Sequence, residues 1–167
     1  MGRPFGLVAG GYISAMAPAA QRAFERALRE TYDVEVRLVK ALPGLARRAS
    51  DEDLSKSFLA HAKVTEKHVD RLKKVFDAID KQPRRRPYAP LDSLLDGMAS
   101  SDGIEGDLSL IGTALVVEQL EQGLYRHLMK LADSLGVKRA VSQFEKSMGE
   151  EENAASELEG ILQSIAG

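Results

Sequence analysis

The spacing of apolar residues constrains the fold most strongly, because they return every three or four positions from Pro18 to Ile165. This is the period of an amphipathic helix, whereas a half-buried strand would alternate apolar and polar residues. Alternation of that kind never persists along this stretch. We therefore expect an all-α protein.

Breaks in this period predict four long helices. They are expected at about residues 18–49, 50–80, 107–135 and 137–165. Pro18 suits the first turn of its helix, and Pro43 is expected to kink the same helix near its end. Ser50 begins a capping sequence for the second helix, Asp107 is expected to cap the third, and Gly136 is expected to end it.

A long connection, residues 81–106, separates the second and third helices. Its first ten residues, KQPRRRPYAP, contain three prolines and cannot be helical, whereas residues 91–98 can form a short helix. We expect the three arginines, Arg84, Arg85 and Arg86, to be a solvated part of this linker. Two hairpins joined by a long crossover describe an antiparallel four-helix bundle of the ferritin type.

Length and composition bound the organisation and the function. A chain of 167 residues supports one core, so we expect an arm at residues 1–17 and one bundle domain at 18–167. The arm loosely imitates a signal peptide, but Pro4, Gly10 and Gly11 interrupt its apolar run. The net charge of -2 argues against binding to nucleic acid or a membrane surface. We expect a cytoplasmic protein.

Other function classes are excluded by residue type. With no cysteine, the chain has no thiolate metal site, iron–sulfur cluster or cysteine nucleophile. It also lacks the glycine-rich phosphate and dinucleotide motifs and the G-x-S-x-G motif of serine hydrolases.

Polar residues at core positions are the main functional feature. Rotating each helix by about 100° per residue places seven of them on apolar faces. Two are Thr65 and His68, and the five that we take as candidate metal ligands are Glu35, His61, Glu118, Glu121 and Glu151. Glu35 lies at the height of Thr65 on the second helix, and Glu121 and Glu151 are nearly equidistant from the Gly136 turn.

These residues predict a metal site. Any one inward Glu could reach water or pair with a basic residue, but several unpaired carboxylates in one dry layer need a neutralising partner. In helical bundles the usual partner is one divalent metal ion, or two ions bridged by carboxylates. Imidazole and oxygen ligands without sulfur suit iron, manganese or zinc.

Several motifs resemble those of the YciE/YciF-type ferritin-like stress proteins. They are E-T-Y-D-V-E at 30–35 with K-A-L-P at 40–43, His61 with Thr65 and R-L at 71–72, V-E-Q-L-E at 117–121 with Tyr125, and E-E at 150–151. The resemblance covers about residues 20–162. It implies a rubrerythrin- or ferritin-like bundle, a dinuclear metal centre, a link to bacterial stress and a homodimer.

The chain departs from the family pattern at three positions. Val64, Gln119 and Ala155 stand where the family commonly has Glu, His and Asp, and each change removes a metal-ligand candidate. On this basis Glu35, Glu121, Glu151 and His61 would hold one ion, and a second ion would lack ligands.

Four other polar residues are weaker candidates for metal ligands. Lys63, Glu66 and His127 fall away from the apolar faces, and we expect them at the surface. His68 lies at the edge of its stripe, where an interior histidine held by hydrogen bonds and a metal ligand are equally consistent with the pattern.

Three functions stay open at this stage. The first is metal handling or weak oxidase- or peroxidase-like chemistry, which would make the protein a mono- or di-metal oxidoreductase. The second is a non-catalytic structural or interaction protein that has lost the site, and the third is a helical partner-binding module unrelated to metal. The sequence predicts no substrate.

Overall fold

The protein is described by a computed structural model that covers residues 8–98 and 103–167, with side chains from residue 18 onward. Its helices are α1 (Val8–Arg48), α2 (Glu52–Ala78), α3 (Pro90–Gly97), α4 (Gly103–Ser134) and α5 (Lys138–Ala166). No strand occurs in these ranges, so the predicted all-α class is confirmed. Within the same residues, every helix is too short or too polar to cross a membrane.

The first helix is longer than the sequence predicted. It begins at Val8, ten residues before Pro18, and it continues past Pro43 to Arg48. Pro18 therefore lies inside the helix, where a proline removes one backbone hydrogen bond, but residues 12–17 contain no glycine or proline that would stop the helix from extending backwards. The side chains of the predicted arm, residues 1–17, lie outside the described residues.

The turns between helices follow from capping residues. Asp51, rather than Ser50, caps α2, and its side chain accepts a hydrogen bond from the Leu54 N–H at 2.9 Å. At the far end of the bundle, Gly136 has a φ of 72°, a left-handed conformation that glycine adopts without strain. The Val137 N–H then bonds to the Ala132 carbonyl at 2.9 Å, which closes α4 as expected.

Asp107 has a different role from the predicted one. It lies inside α4, which begins four residues earlier at Gly103. Its carboxylate accepts hydrogen bonds from the backbone N–H groups of Ser50 at 2.9 Å and Asp51 at 2.7 Å. Asp107 therefore ties the start of α4 to the turn between α1 and α2, and it does not cap its own helix.

The four long helices form an antiparallel bundle. The chain pairs α1 with α2 and α4 with α5, and the two hairpins pack through α1 on α4 and α2 on α5. Because α4 starts beside the α1–α2 turn, the crossover must run the length of the bundle, carrying α3 on the way. This is the ferritin-like arrangement that the sequence predicted.

Part of the crossover is anchored to α1. The three arginines are exposed, as expected, but two of them form ion pairs. The Arg85 Nε donates to the buried Asp33 carboxylate at 2.8 Å, and the Arg86 Nε donates to Glu30 at 3.0 Å. Asp33 also accepts the Tyr88 N–H at 3.1 Å. The linker is thus fixed along the helix that carries Glu35.

The core consists of two apolar clusters at opposite ends of the bundle. The first, nearer the α1–α2 turn, includes Leu38, Leu54, Phe58, Ile111 and Val117. The second, nearer the α4–α5 turn, includes Phe24, Leu72, Phe76, Leu128 and Phe144. Polar residues from all four long helices lie between the two clusters.

Candidate metal centre

The polar layer between the clusters contains all five residues predicted from the sequence. Glu35 and Glu151 are 0% exposed, and Glu121 is 1% exposed. Glu118 is buried as well, and the His61 side chain is 10% exposed. Residues three, four or seven positions apart share one face of a helix, which explains why each helix delivers its polar side chains together.

Four side chains form what we call the His61 group. Ligand atoms of His61, Glu118, Glu121 and Glu151 lie within 4.8 Å of one another. The His61 Nε2 is 3.4 Å from a Glu118 oxygen and 3.4 Å from a Glu151 oxygen, yet it has no hydrogen-bond partner within the described part of the chain. Neither oxygen of Glu121 has a partner. The group therefore brings together metal-ligand atoms that no protein donor satisfies.

Burial dominates the electrostatics of the His61 group. It lowers the pKa of His61 to about 4, so the imidazole is neutral at pH 7. Burial and the nearby Glu151 carboxylate raise the pKa of Glu118 and of Glu121 well above the usual range. Without a cation, these carboxyl groups keep protons that exposed glutamates would release.

A second set, the His68 group, consists of Glu35, His68 and Glu151. The His68 Nδ1 is 2.7 Å from one Glu151 oxygen and 3.3 Å from a Glu35 oxygen. The Tyr125 hydroxyl donates a hydrogen bond to the same Glu35 oxygen. Glu151 belongs to both groups and so joins them into one continuous layer.

The His68 group is supported by a further ion pair. The His68 Nε2 is 2.8 Å from Glu150, and Arg71 binds the other Glu150 oxygen at 3.0 Å. Arg71 also donates to Ser147 at 3.1 Å. Burial alone would lower the pKa of His68, but its contacts with Glu151 and Glu35 raise it to about 10. At pH 7 His68 is therefore a cation that balances its carboxylate neighbours.

The Glu150 carboxylate is ionised within this network. Partial burial opposes its ionisation, but hydrogen bonds from Arg71 and His68 lower its pKa to about 2. The chain Arg71, Glu150, His68, Glu151 thus alternates in charge from the edge of the bundle to its centre.

The structure divides the four-residue set that the sequence assigned to a single ion. Glu35 lies with His68, whereas His61 lies with Glu118, Glu121 and Glu151. The reason is the hydrogen-bonding environment of Glu35, which faces the Tyr125 hydroxyl and the His68 ring. His68, which the pattern left open, is the nitrogen ligand candidate of the second group.

Thr65 and the three departures from the family motifs affect the layer differently. Thr65 directs its hydroxyl to the His61 carbonyl of its own helix at 3.0 Å. Val64 is half-buried and Ala155 is buried, so both leave positions near the layer without a ligand atom. Gln119 is exposed, so the change from His at this position does not remove a ligand atom from the buried layer.

Sequence reasoning missed several partners of the site. It gave no role to Arg71, Glu150 or the Tyr125 hydroxyl, although Arg71 follows His68 by three positions on the same helix face. That spacing, together with the adjacent acids Glu150 and Glu151, could have indicated a charge network. The expected surface positions of Lys63, Glu66 and His127 are confirmed.

The ligand atoms present fit a divalent transition metal. Carboxylate oxygens and imidazole nitrogens are common ligands of iron, manganese and zinc. Each of the two groups has one imidazole, and the shared Glu151 has one oxygen close to each histidine. A carboxylate in that position can bridge two ions.

Comparisons with known proteins agree with this architecture. Residues 19–167 match the family described as "Domain of unknown function (DUF892)". Protein YciF of Escherichia coli K12 is 30% identical over 136 residues, which cover 77% of this chain and 81% of that protein.

Two solved structures are similar over most of their length. The E. coli stress protein YciF has a TM-score of 0.84 and 27% identity, with 88% of this chain and 96% of that chain covered. The structure titled "YcfI, a putative structural protein from Rhodopseudomonas palustris" has a TM-score of 0.80 and 26% identity, with 84% and 92% covered.

Proposed function

The chain belongs to the DUF892 family, and we propose that this member holds divalent ions of iron, manganese or zinc between its four long helices. One observation carries the proposal. Nine buried side-chain nitrogen and oxygen atoms lack a hydrogen-bond partner among the described residues, and all but the Arg29 Nε belong to the polar layer. Two of them, the His68 Nδ1 and a Glu151 oxygen, form an ion pair at 2.7 Å, which leaves six atoms of the layer without either kind of partner or with only longer contacts. Folded proteins rarely leave such atoms unpaired, because each costs about 1–3 kcal/mol. A bound cation would satisfy them together.

The two groups have different expected affinities. An ion at the His61 group would meet a neutral imidazole and carboxyl groups that gain most from a positive charge. An ion at the His68 group would have to displace the proton that His68 holds with a pKa of about 10. We therefore propose one tightly held ion at the His61 group and a weaker second ion at the His68 group.

The metal would determine the chemistry. Bound iron or manganese would supply electron-transfer chemistry towards oxygen or peroxide, whereas zinc would only stabilise the carboxylate layer. The protein contributes the carboxylates, two imidazoles and the Tyr125 hydroxyl on Glu35. With two ligand positions occupied by Val64 and Ala155, we expect any oxidase turnover to be slow.

Metal titration tests this proposal directly. Untagged protein treated with a chelator should bind about one equivalent of Mn²⁺, Zn²⁺ or anaerobic Fe²⁺ tightly, and its melting temperature should rise with the ion. Glu121→Gln should abolish the tight binding, whereas Glu152→Gln, at an exposed position of α5, should leave it unchanged. Absence of binding together with an unchanged melting temperature would contradict the proposal.

A second function is favoured by a specific observation. The His68 group already carries its own balancing charges through Arg71 and Glu150, as a purely structural buried network would. The R. palustris relative is also described as a putative structural protein. We hold a non-catalytic structural role as the alternative, and a metal titration without binding would support it.

Assembly and cellular role are proposed on the family alone. We propose a homodimer in the cytoplasm with a function under stress, by analogy with the E. coli relative named as a stress protein. Light scattering at high micromolar concentration would give the mass of a dimer. A monomer under those conditions would contradict the assembly without affecting the metal site.

A further inference from the structure

A cleft between α2 and α5 opens next to the His61 group. It has a volume of about 180 Å³ and is lined by small residues of the two helices, among them Ala60, Val64 and Ala154. Two carboxylates, Glu150 and Glu157, also line it, and no lysine or arginine does so among the described residues. Because Arg71 and His68 balance the charge of Glu150, Glu157 gives the cleft its negative charge.

His61 separates this cleft from the bundle interior. Its side chain lines the cleft on one side, and on the other it lines a narrow internal space together with Glu118 and Glu121. The imidazole is 10% exposed, whereas the Glu151 side chain behind it is 0% exposed. A straight path from solvent through the cleft therefore reaches His61 before it reaches the carboxylates.

The opposite side of the His61 group offers no such path. There the internal space is bounded by Leu38, Leu42, Phe58 and Met98, and it has room of only about 10 Å³. That is barely one water molecule, and apolar walls do not replace the hydration of an ion. Of these two sides, as the described residues form them, the α2–α5 side is the one from which a hydrated divalent cation would meet favourable ligands.

His61 also has the freedom to move. Its Nε2 lies 3.4 Å from both carboxylate neighbours without a hydrogen bond to either. An imidazole that is not held by a hydrogen bond can change rotamer at modest cost. Ala60 and Val64, which have small side chains, line the cleft beside His61.

We propose that the α2–α5 cleft is the route by which a hydrated divalent cation enters the His61 group, with Glu157 attracting the ion and His61 acting as the gate. This inference rests on the proposed metal binding. Glu150 lies two turns from Glu157 along the α5 wall, but Arg71 and His68 already balance its charge, so Glu157 is the carboxylate that acts on an ion in the cleft. Once the ion has passed, His61 closes behind it as a ligand.

Binding kinetics separate this route from the site itself. Stopped-flow absorbance with Co²⁺ alone gives association and dissociation rates, and an equilibrium titration gives Kd. Val64→Phe and Ala154→Leu fill the cleft without replacing a ligand, so each should slow association and dissociation by about tenfold and leave Kd within about twofold. Two variants are used because a failure of one to fold, seen by circular dichroism, leaves the other.

The effect of negative charge in the α2–α5 cleft is tested separately. Glu157→Gln should lower the association rate about twofold at low salt and have no effect at high salt, where the field is screened. Glu159→Gln, on the same helix but outside the cleft, is the matched control and should leave the rate unchanged.

The two proposals fail in different ways. Unchanged rates in both folded cleft-filling variants, with Kd preserved, would overturn the entry route and leave metal binding intact. Absence of Co²⁺ binding by the wild-type protein would overturn the proposed function and the route together.

Discussion

The His61 and His68 groups share Glu151 and lie in one buried layer, but they balance charge in opposite ways. The His68 group contains a protonated imidazole and is connected through Glu150 to Arg71. The His61 group contains a neutral imidazole and the Glu121 carboxyl group, neither oxygen of which has a hydrogen-bond partner among the described residues. The charge of the His68 group is balanced by protein side chains, whereas the charge of the His61 group is balanced only by protons or a cation.

This difference separates stabilising from ligand-binding residues within a single layer. A buried charge network with matched partners can hold four helices in register, and its removal leaves unpaired charges. A set of unmatched carboxylates reduces the stability of the metal-free fold and makes binding of a cation more favourable. The comparison therefore predicts that equivalent substitutions in the two groups have effects of opposite sign.

The largest effect is expected at the shared residue. Glu151→Ala removes a ligand atom from both groups, so affinity for both ions should fall by about 100-fold or more, beyond the losses typical of supporting residues. Calorimetric titration with Mn²⁺ or Zn²⁺ measures this, with Glu152→Ala as the exposed neighbour control. Retention of one ion at wild-type affinity would show that the groups are independent.

A smaller but clear loss of stability is expected in the His68 group. Glu35→Leu removes the acceptor of the Tyr125 hydroxyl and one carboxylate partner of His68. Leaving such buried donors unpaired should lower the free energy of unfolding of the metal-free protein by about 2 kcal/mol. Urea unfolding in the presence of a chelator measures the change. Unaltered stability would mean that Glu35 is held mainly as a metal ligand.

The pH dependence tests the charge states of both groups. Because the folded-state pKa of His68 is raised to about 10, its stabilisation is complete below its unfolded value near 6.5 and is lost as the pH rises towards 10. The raised pKa values of Glu118 and Glu121 have the same sign, since the folded state binds their protons more tightly. We expect the melting temperature of metal-free protein to fall as pH rises from about 6.5 to 9.

Bound metal should weaken that dependence. An ion takes the place of the protons in the His61 group, so the melting temperature of the loaded protein should change less over the same pH range. Differential scanning calorimetry at matched ionic strength compares the two forms. A metal-free melting temperature that rises with pH would contradict the assigned charge states.

The fold was largely predictable because its determinants are local. The 3.6-residue period fixed the long helices, and Gly136 ended α4 where expected. Asp107 was misassigned because a helix-capping residue and a residue that binds another helix's turn look alike in sequence. The N-terminal extension of α1 was missed because Gly10 and Gly11 favour an interruption that the structure does not have.

The residues of the site were predictable from the sequence, but their division into the His61 group and the His68 group was not. Inward positions on each helix follow from periodicity, which identified Glu35, Glu118, Glu121 and Glu151. Which histidine meets which carboxylate depends on the relative heights and rotations of four helices, and these are not encoded in any one of them. The pairing of Glu150 with Arg71 and His68 is likewise a contact between separate helices.

The smallest effect, and the one of opposite sign, is expected from removing an unmatched carboxyl group. Glu121→Leu takes away two oxygens that have no hydrogen-bond partner and replaces them with a side chain of similar length in a 1% exposed position. Exchange of an uncompensated buried ionisable group for an apolar one should stabilise the metal-free protein by about 1 kcal/mol, which raises the melting temperature by about 2–4 °C in a domain of this size.

The Glu121→Leu variant should also no longer be stabilised by added metal. Thermal melts with chelator and with Zn²⁺ measure both effects, and Glu35→Leu serves as the matched substitution in the other group. A destabilised metal-free Glu121→Leu protein would show that the His61 group, like the His68 group, supports the fold without a cation.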